Sequence, residues 1–216
     1  MKIKAEMNKY GQVGYKSDEK LFAEVTVTWK QWLGEAGEHI YAAEILLPHI
    51  LAQQARLSEL MEKKESAKVP PSLDGIYFFH CALAVENSMK SVISSKARPA
   101  IQKETIEKAK VPRLLIGHDL VKLAGRAGYK IGIDEEYVLS FLTRYGTWGG
   151  KYPLPLKSEA YAPTGKLSDG NHYLLGGWRP EHVPHFLSFS ADIYKWALAE
   201  AEKCSEAANG RADAPV

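Results

Sequence analysis

A stretch rich in cations and aromatic rings, Arg144-Tyr-Gly-Thr-Trp-Gly-Gly-Lys151-Tyr152, is the part of this sequence best suited to chemistry. It follows an amphipathic segment, and its glycines predict that a helix ends there. Glycine loops at helix ends present backbone N–H groups and cations to anions, and aromatic rings stack on bases. The stretch therefore predicts a site for a phosphate-bearing molecule, with Arg144, Trp148, Lys151 and Tyr152 as its contacts.

Two further pairs of polar residues precede this stretch in the chain. Glu86 and Lys90 lie one helical turn apart, and His118 and Asp119 follow a glycine at the start of a short helical segment. Glu86 and Lys90 are interpreted either as ligand contacts or as a solvated ion pair on a helix surface. His118 and Asp119 are interpreted either as site residues or as the cap of a helix. The sequence leaves both alternatives open.

The elements that must position these residues are predicted to be helices. Apolar side chains recur at helical spacing over 35–64, 72–96, 134–145 and 180–208, and no run of strands is convincing. The pattern predicts an all-α, up-and-down bundle of about five helices.

The domain organisation follows from the same pattern. A flexible arm over 1–17 precedes one helical-bundle domain over 18–208, and 209–216 is expected to be a disordered tail. Residues 146–180 contain seven glycines and four prolines, which predicts a long irregular loop before the last helix.

The order of these pieces resembles the HEPN superfamily of small helical domains. The resemblance covers about residues 36–153 and is carried by Ala84-Val-Glu86-Asn-Ser-Met-Lys90, by Gly117-His118-Asp119-Leu120, and by Arg144-Tyr145 with Lys151-Tyr152-Pro153 beyond. It implies a bundle that dimerises, that binds a nucleotide or RNA, and that in many members cleaves RNA without a metal.

The cleaving members of that family carry a histidine four to six residues after an arginine. Here Arg144 is followed instead by Lys151 and Tyr152. An ordinary lysine holds a phosphate but is a poor general base near neutral pH. The family spacing itself occurs elsewhere, from Arg113 to His118 and from Arg179 to His185. Arg144 and His118 are the candidate catalytic residues, and the sequence leaves open whether the chain is an enzyme.

Composition sets the remaining expectations. A net charge of +2 gives no global basic field, so RNA binding would need a local patch. Cys81 and Cys204 are far apart and have no metal-binding spacing, so we expect no metal and no cofactor. No apolar run is long enough to cross a membrane, and no secretory signal is recognised, which favours a cytoplasmic protein.

A second interpretation belongs to a different functional class. The chain could be a non-catalytic interaction or scaffold protein that docks a protein partner on the 146–180 loop. The anchors would be aromatic side chains, which dominate the energetics of many interfaces. The candidates are Trp148, Tyr161, Tyr173 and Trp178.

Overall fold

The computed structural model describes residues 6–7, 13–14, 28–64, 71–108, 110–149, 164–166, 172–174 and 180–212. Within these ranges the protein is a helical bundle with six α-helices. They are α1 (Trp29–Lys63), α2 (Asp74–Lys96), α3 (Arg98–Lys108), α4 (Leu120–Ala127), α5 (Ile133–Arg144) and α6 (Val183–Ala212). Short 3₁₀ turns span Arg113–Leu115 and Pro180–His182, and a π-helical turn spans Tyr145–Gly149.

Helix α2 is the centre of the bundle. It packs against α1, α6, α4, α5 and the π-helical turn, and most of its residues are buried. The predicted apolar stripe is confirmed, because Phe78, Cys81, Val85, Met89 and Val92 are all buried. A helix enclosed on most sides also buries residues outside that stripe, and this decides the environment of the candidate site.

Aromatic rings fasten the start of α2 to the rest of the core. The ring of Phe78 meets Tyr77, Phe141 and Phe186 edge-on, with centroids 5.2, 5.0 and 5.0 Å apart. Such pairs contribute about 0.5–1.5 kcal/mol each beyond their burial. Because Phe141 and Phe186 belong to α5 and α6, this cluster fixes both helices against α2.

Three details differ from the sequence-based expectations. The bundle has six α-helices rather than about five, and the additional one is α3, a short helix over a charged segment. Helix α6 continues through Gly210 to Ala212, where a disordered tail from residue 209 onwards was expected. One interior glycine costs a helix only about 1 kcal/mol, which its alanine-rich surroundings tolerate.

Short antiparallel ladders occur in two segments expected to be irregular. In the N-terminal arm β1 (Glu6–Met7) pairs with β2 (Val13–Gly14), and in the long loop β3 (Thr164–Lys166) pairs with β4 (His172–Leu174). Tyr173, a predicted protein-docking anchor, lies in β4, whereas Tyr161 and Trp178 lie outside the described residues.

Candidate functional site

A buried carboxylate, Glu86 of α2, is the centre of the candidate site. Only 4% of the residue is exposed. Its Oε1 accepts a hydrogen bond from Lys90 Nζ at 2.6 Å, and its Oε2 lies 2.8 Å from Nδ1 of His118. Both carboxylate oxygens are therefore engaged, one by an ammonium group and the other by an imidazole.

The Glu86–Lys90 pair is not the solvated surface pair that was one interpretation of the sequence. Lys90 is 6% exposed, and its ammonium lies 5.4 Å from the ring centroid of Trp32 on α1. The pair is buried because α1 and α4 cover this part of α2. The sequence contains a signal for this burial, since Glu86 and Lys90 are the only Asp, Glu, Lys or Arg residues between Asp74 and Lys96.

His118 reaches Glu86 from the loop before α4. Gly117 has a φ of 122°, a conformation that favours glycine, and it turns the chain directly before the histidine. The His118 side chain remains 55% exposed although its Nδ1 contacts the buried carboxylate. A carboxylate on one ring nitrogen favours the tautomer with the proton on Nδ1, which leaves the lone pair on Nε2.

Asp119 has the structural role that was the second interpretation of the His118-Asp119 pair. It is the N-cap of α4, and its Oδ1 accepts the Lys122 backbone N–H at 3.1 Å. Its Oδ2 lies 2.8 Å from Lys122 Nζ. Partial burial alone would raise the pKa of Asp119, but the hydrogen bonds and charge of Lys122 outweigh it and hold the pKa below its usual value. His118 is not the cap.

Arg144 is the last residue of α5, as the sequence predicts. The preceding residue, Thr143, accepts a hydrogen bond from the Leu120 backbone N–H at 3.0 Å through Oγ1. This bond fastens the end of α5 to the start of α4, two residues after His118. The helix that ends at Arg144 is therefore fastened to the start of α4, and His118 lies in the loop directly before α4.

The chain does not break into a loop at Gly146. It continues as a π-helical turn to Gly149, and this turn packs on α2. A Cβ at Gly146 would lie 3.3 Å from the Cβ of Ala82, which is closer than most such contacts, so this close approach favours a residue without a side chain. Ala82 is one turn before Glu86, which brings the turn to the same part of α2.

The remaining predicted contacts cannot be placed in this arrangement. Lys151 and Tyr152 lie outside the described residues, as does the side chain of Trp148. The direct contacts of the site are therefore those among Glu86, Lys90 and His118.

A histidine pair near this site was not predicted. Nδ1 of His39 on α1 lies 3.0 Å from Nδ1 of His80 on α2. Burial lowers the pKa of His39, although the charges of Glu35, Glu38 and Glu86 oppose the shift. Burial, and then the charge of His39, lower the pKa of His80. Only the packing of α1 on α2 joins these residues, which are 41 positions apart.

Comparison with known proteins adds no relative. No family model, curated protein or solved structure matches this chain. The expected relationship to the HEPN superfamily thus stays a prediction from the motifs of this sequence.

Two kinds of feature are absent from the described residues. None of their helices is long and apolar enough to cross a membrane. They also contain no cluster of three or more His, Cys, Asp or Glu side chains arranged to hold a metal ion.

Proposed function

We propose that this protein binds RNA on the surface around His118 and cleaves it by intramolecular attack of a 2′-hydroxyl. The observation that carries the proposal is the contact between His118 and a carboxylate that is itself buried and neutralised. A histidine oriented by a carboxylate, with its second nitrogen towards solvent, is the usual arrangement for a general base.

In the proposed reaction, Nε2 of His118 removes the proton of a 2′-hydroxyl group. The 2′-oxygen forms a bond to the adjacent phosphorus, the bond from phosphorus to the 5′-oxygen breaks, and that oxygen takes a proton from water. The products are a cyclic 2′,3′-phosphate and a 5′-hydroxyl end. All bond changes occur on the RNA itself, and His118 returns its proton to solvent.

Arg144 is proposed to stabilise the charge on the phosphate. Its guanidinium remains charged at any relevant pH and matches the geometry of phosphate oxygens. The bond from Leu120 to Thr143 holds the end of α5 beside the loop that carries His118. In the same proposal, Lys151 binds a neighbouring phosphate, and Tyr152 and Trp148 stack on bases.

Lys90 and Glu86 are positioning residues in this scheme. Glu86 orients the His118 ring, and the ammonium of Lys90 balances the buried carboxylate charge. Without this balance a buried carboxylate is strongly unfavourable.

The test is incubation of the purified protein with end-labelled single-stranded RNA in EDTA, resolving bound complexes and products. We expect His118→Ala to reduce cleavage by about 10²–10⁴-fold, the usual contribution of a general base, while RNA affinity changes little. Arg144→Ala should weaken both binding and cleavage and flatten the salt dependence of binding, because one phosphate contact is lost.

Two control variants test whether the effects are specific to the site or follow from the loss of any histidine or arginine. His49→Ala removes an exposed histidine of α1, and Arg56→Ala removes an exposed arginine of the same helix. Both should leave cleavage unchanged. A substrate with a single 2′-deoxy nucleotide should resist cleavage at that position only.

Each outcome has a defined meaning. Cleavage that survives His118→Ala but is lost in His185→Ala would move the reaction to α6 and refute the site. Binding without cleavage would leave a non-catalytic recognition domain. If neither RNA binding nor cleavage occurs, the RNA proposal fails and the protein-docking interpretation takes its place.

A further inference from the structure

A second concave site lies at the opposite end of α2 from the aromatic cluster. It is a cleft of about 390 Å³ between the start of α1, the end of α2, the start of α3 and the later part of α6. Its volume is within the range of small-molecule sites. Lys96 in this cleft is about 15 Å along α2 from Glu86, so the cleft is separate from the candidate site described above.

The charged side chains of the cleft are cationic. Arg98 is exposed and has no ion pair within the described part of the chain. Lys96 Nζ donates to the carbonyl of Ala127 at 2.7 Å and is 3.9 Å from Glu200 Oε2. That carboxylate is closer to Lys203, at 2.8 Å, so it compensates Lys96 only weakly.

An aromatic ring lies beside these cations. Trp29, the first residue of α1, lines the cleft, and the ammonium of Lys30 lies 5.6 Å from the centroid of its ring. The hydroxyl groups of Ser95 and Ser205 also line the cleft, and Ser95 already donates to the Ala201 carbonyl at 2.9 Å. A ring for stacking and two cations without a close carboxylate partner among the described residues are suited to an aromatic anion.

We propose that this cleft is a binding site for small aromatic anions, that is, a flat ring carrying a carboxylate or a phosphate. The ring would stack on Trp29, and the acidic group would contact Arg98 and Lys96.

Cys204 supplies a direct readout of this site because it lines the same cleft. The chain has one other cysteine, Cys81, which is buried, and burial raises the pKa of its thiol to about 12. A buried thiol of this kind is inert, so disulfide reagents should report on Cys204 alone in the folded protein.

The experiment compares two aromatic disulfides, the anionic dithionitrobenzoate and the neutral dithiodipyridine. In each case the Cys204 thiolate attacks one sulfur, a mixed disulfide forms, and one aromatic thiolate leaves. The thiolate fraction affects both reagents equally, so the ratio of the two rates isolates recognition of the anionic ring. We expect the rate with dithionitrobenzoate to saturate with concentration, as binding before reaction requires.

Variants and competitors define the outcome. Arg98→Glu should lower the rate ratio by about three- to tenfold, the effect of charge reversal at a partly exposed site. The matched variant Arg56→Glu changes the net charge equally, but lies about 40 Å along α1 from Trp29, so it should leave the ratio unchanged. Unreactive nitrobenzoate or adenosine monophosphate should protect Cys204, and neutral adenosine should protect far less.

Stronger protection by nitrobenzoate would indicate a carboxylate ligand, and stronger protection by adenosine monophosphate would indicate a nucleotide. A rate linear in dithionitrobenzoate over the whole soluble range would overturn the proposal. So would equal effects of Arg98→Glu and Arg56→Glu, or protection by neither anion. A Cys204→Ser protein, which should not react, verifies that the signal comes from the cleft.

Discussion

Replacing Lys90 by methionine tests whether the centre of the candidate site is as buried as the structure indicates. In the folded protein the side chains of Lys90 and Glu86 are 8% and 5% exposed, and their charged atoms are 2.6 Å apart. Removing one partner leaves the other charge buried without compensation, which costs about 3–5 kcal/mol. For a chain of this length we expect the melting temperature to fall by roughly 6–20 °C.

The chain contains a matched control for this substitution. Glu59 and Lys63 on α1 have the same i,i+4 spacing, and their charged atoms are 2.5 Å apart, but their side chains are 51% and 54% exposed. Because solvent screens an exposed pair, Lys63→Met should lower the free energy of unfolding by less than about 1 kcal/mol. The two substitutions differ in burial and not in chemistry.

A double variant completes the cycle. In Glu86→Gln/Lys90→Met both buried charges are gone, so most of the loss should be recovered, leaving a deficit of about 1–2 kcal/mol. This deficit includes the lost contact of the ammonium with the Trp32 ring, which is worth up to about 2 kcal/mol when desolvated. Glu86→Gln alone also leaves a buried charge without its partner, so it should cost the same about 3–5 kcal/mol. The coupling, which is the sum of the two single losses minus the double loss, should therefore be about 4–9 kcal/mol.

The measurement is urea unfolding followed by far-ultraviolet circular dichroism, with unchanged m-values required for comparison. If Lys90→Met and Lys63→Met cost the same, or if the Glu86 and Lys90 effects add without coupling, the buried ion pair does not exist in solution. The orientation of His118 by a fixed carboxylate would then lose its physical basis.

Three further predictions concern other parts of the molecule. The pKa values of His39 and His80 are lowered in the folded protein, so as the pH falls protons bind first to the unfolded chain. The contribution of these histidines to the free energy of unfolding should therefore be complete above about pH 6.5 and decrease as the pH falls below it. In urea titrations at several pH values, His39→Gln should flatten this slope. Gly128 follows the last residue of α4 and has a φ of 79°, a left-handed conformation that is unfavourable for a residue with a Cβ. Gly128→Ala should therefore lower the free energy of unfolding by about 1–2 kcal/mol, and an unchanged urea midpoint would contradict this geometry. Mixing the His118→Ala and Arg144→Ala proteins should restore no RNA cleavage, because in the proposed site one chain supplies both residues. Recovery to about a quarter of the wild-type rate would instead indicate a site in which each subunit of a dimer supplies one of the two residues.

The sequence predicted the helices of this bundle better than the environment of its polar residues. Periodicity alone identified the buried stripe from Phe78 to Val92. The same periodicity placed Glu86 and Lys90 outside this stripe and left their burial open, because it describes one face of a helix and not how many neighbours surround it. Their burial depends on α1, α4 and α6 all packing on α2.

Contacts between distant segments account for the other differences. The end of α5 at Arg144 was predicted from the glycines that follow it, but the π-helical turn depends on the packing of Gly146 against Ala82. The His39–His80 pair and the bond from Leu120 to Thr143 likewise join residues that no local pattern connects. The capping role of Asp119, by contrast, was one of the two interpretations that the sequence left open, because helix capping is a local interaction that the sequence can indicate.

The length of α1 has a consequence for how the whole molecule moves in solution. Its 35 residues extend over about 52 Å. A spherical globule of 216 residues has a radius of gyration of about 17 Å and thus a diameter of about 44 Å. The helix is longer than that sphere is wide, so we expect the described bundle to be elongated along α1. Its rotational diffusion is therefore anisotropic, and backbone amides aligned with α1 should relax differently in NMR from those oriented across it.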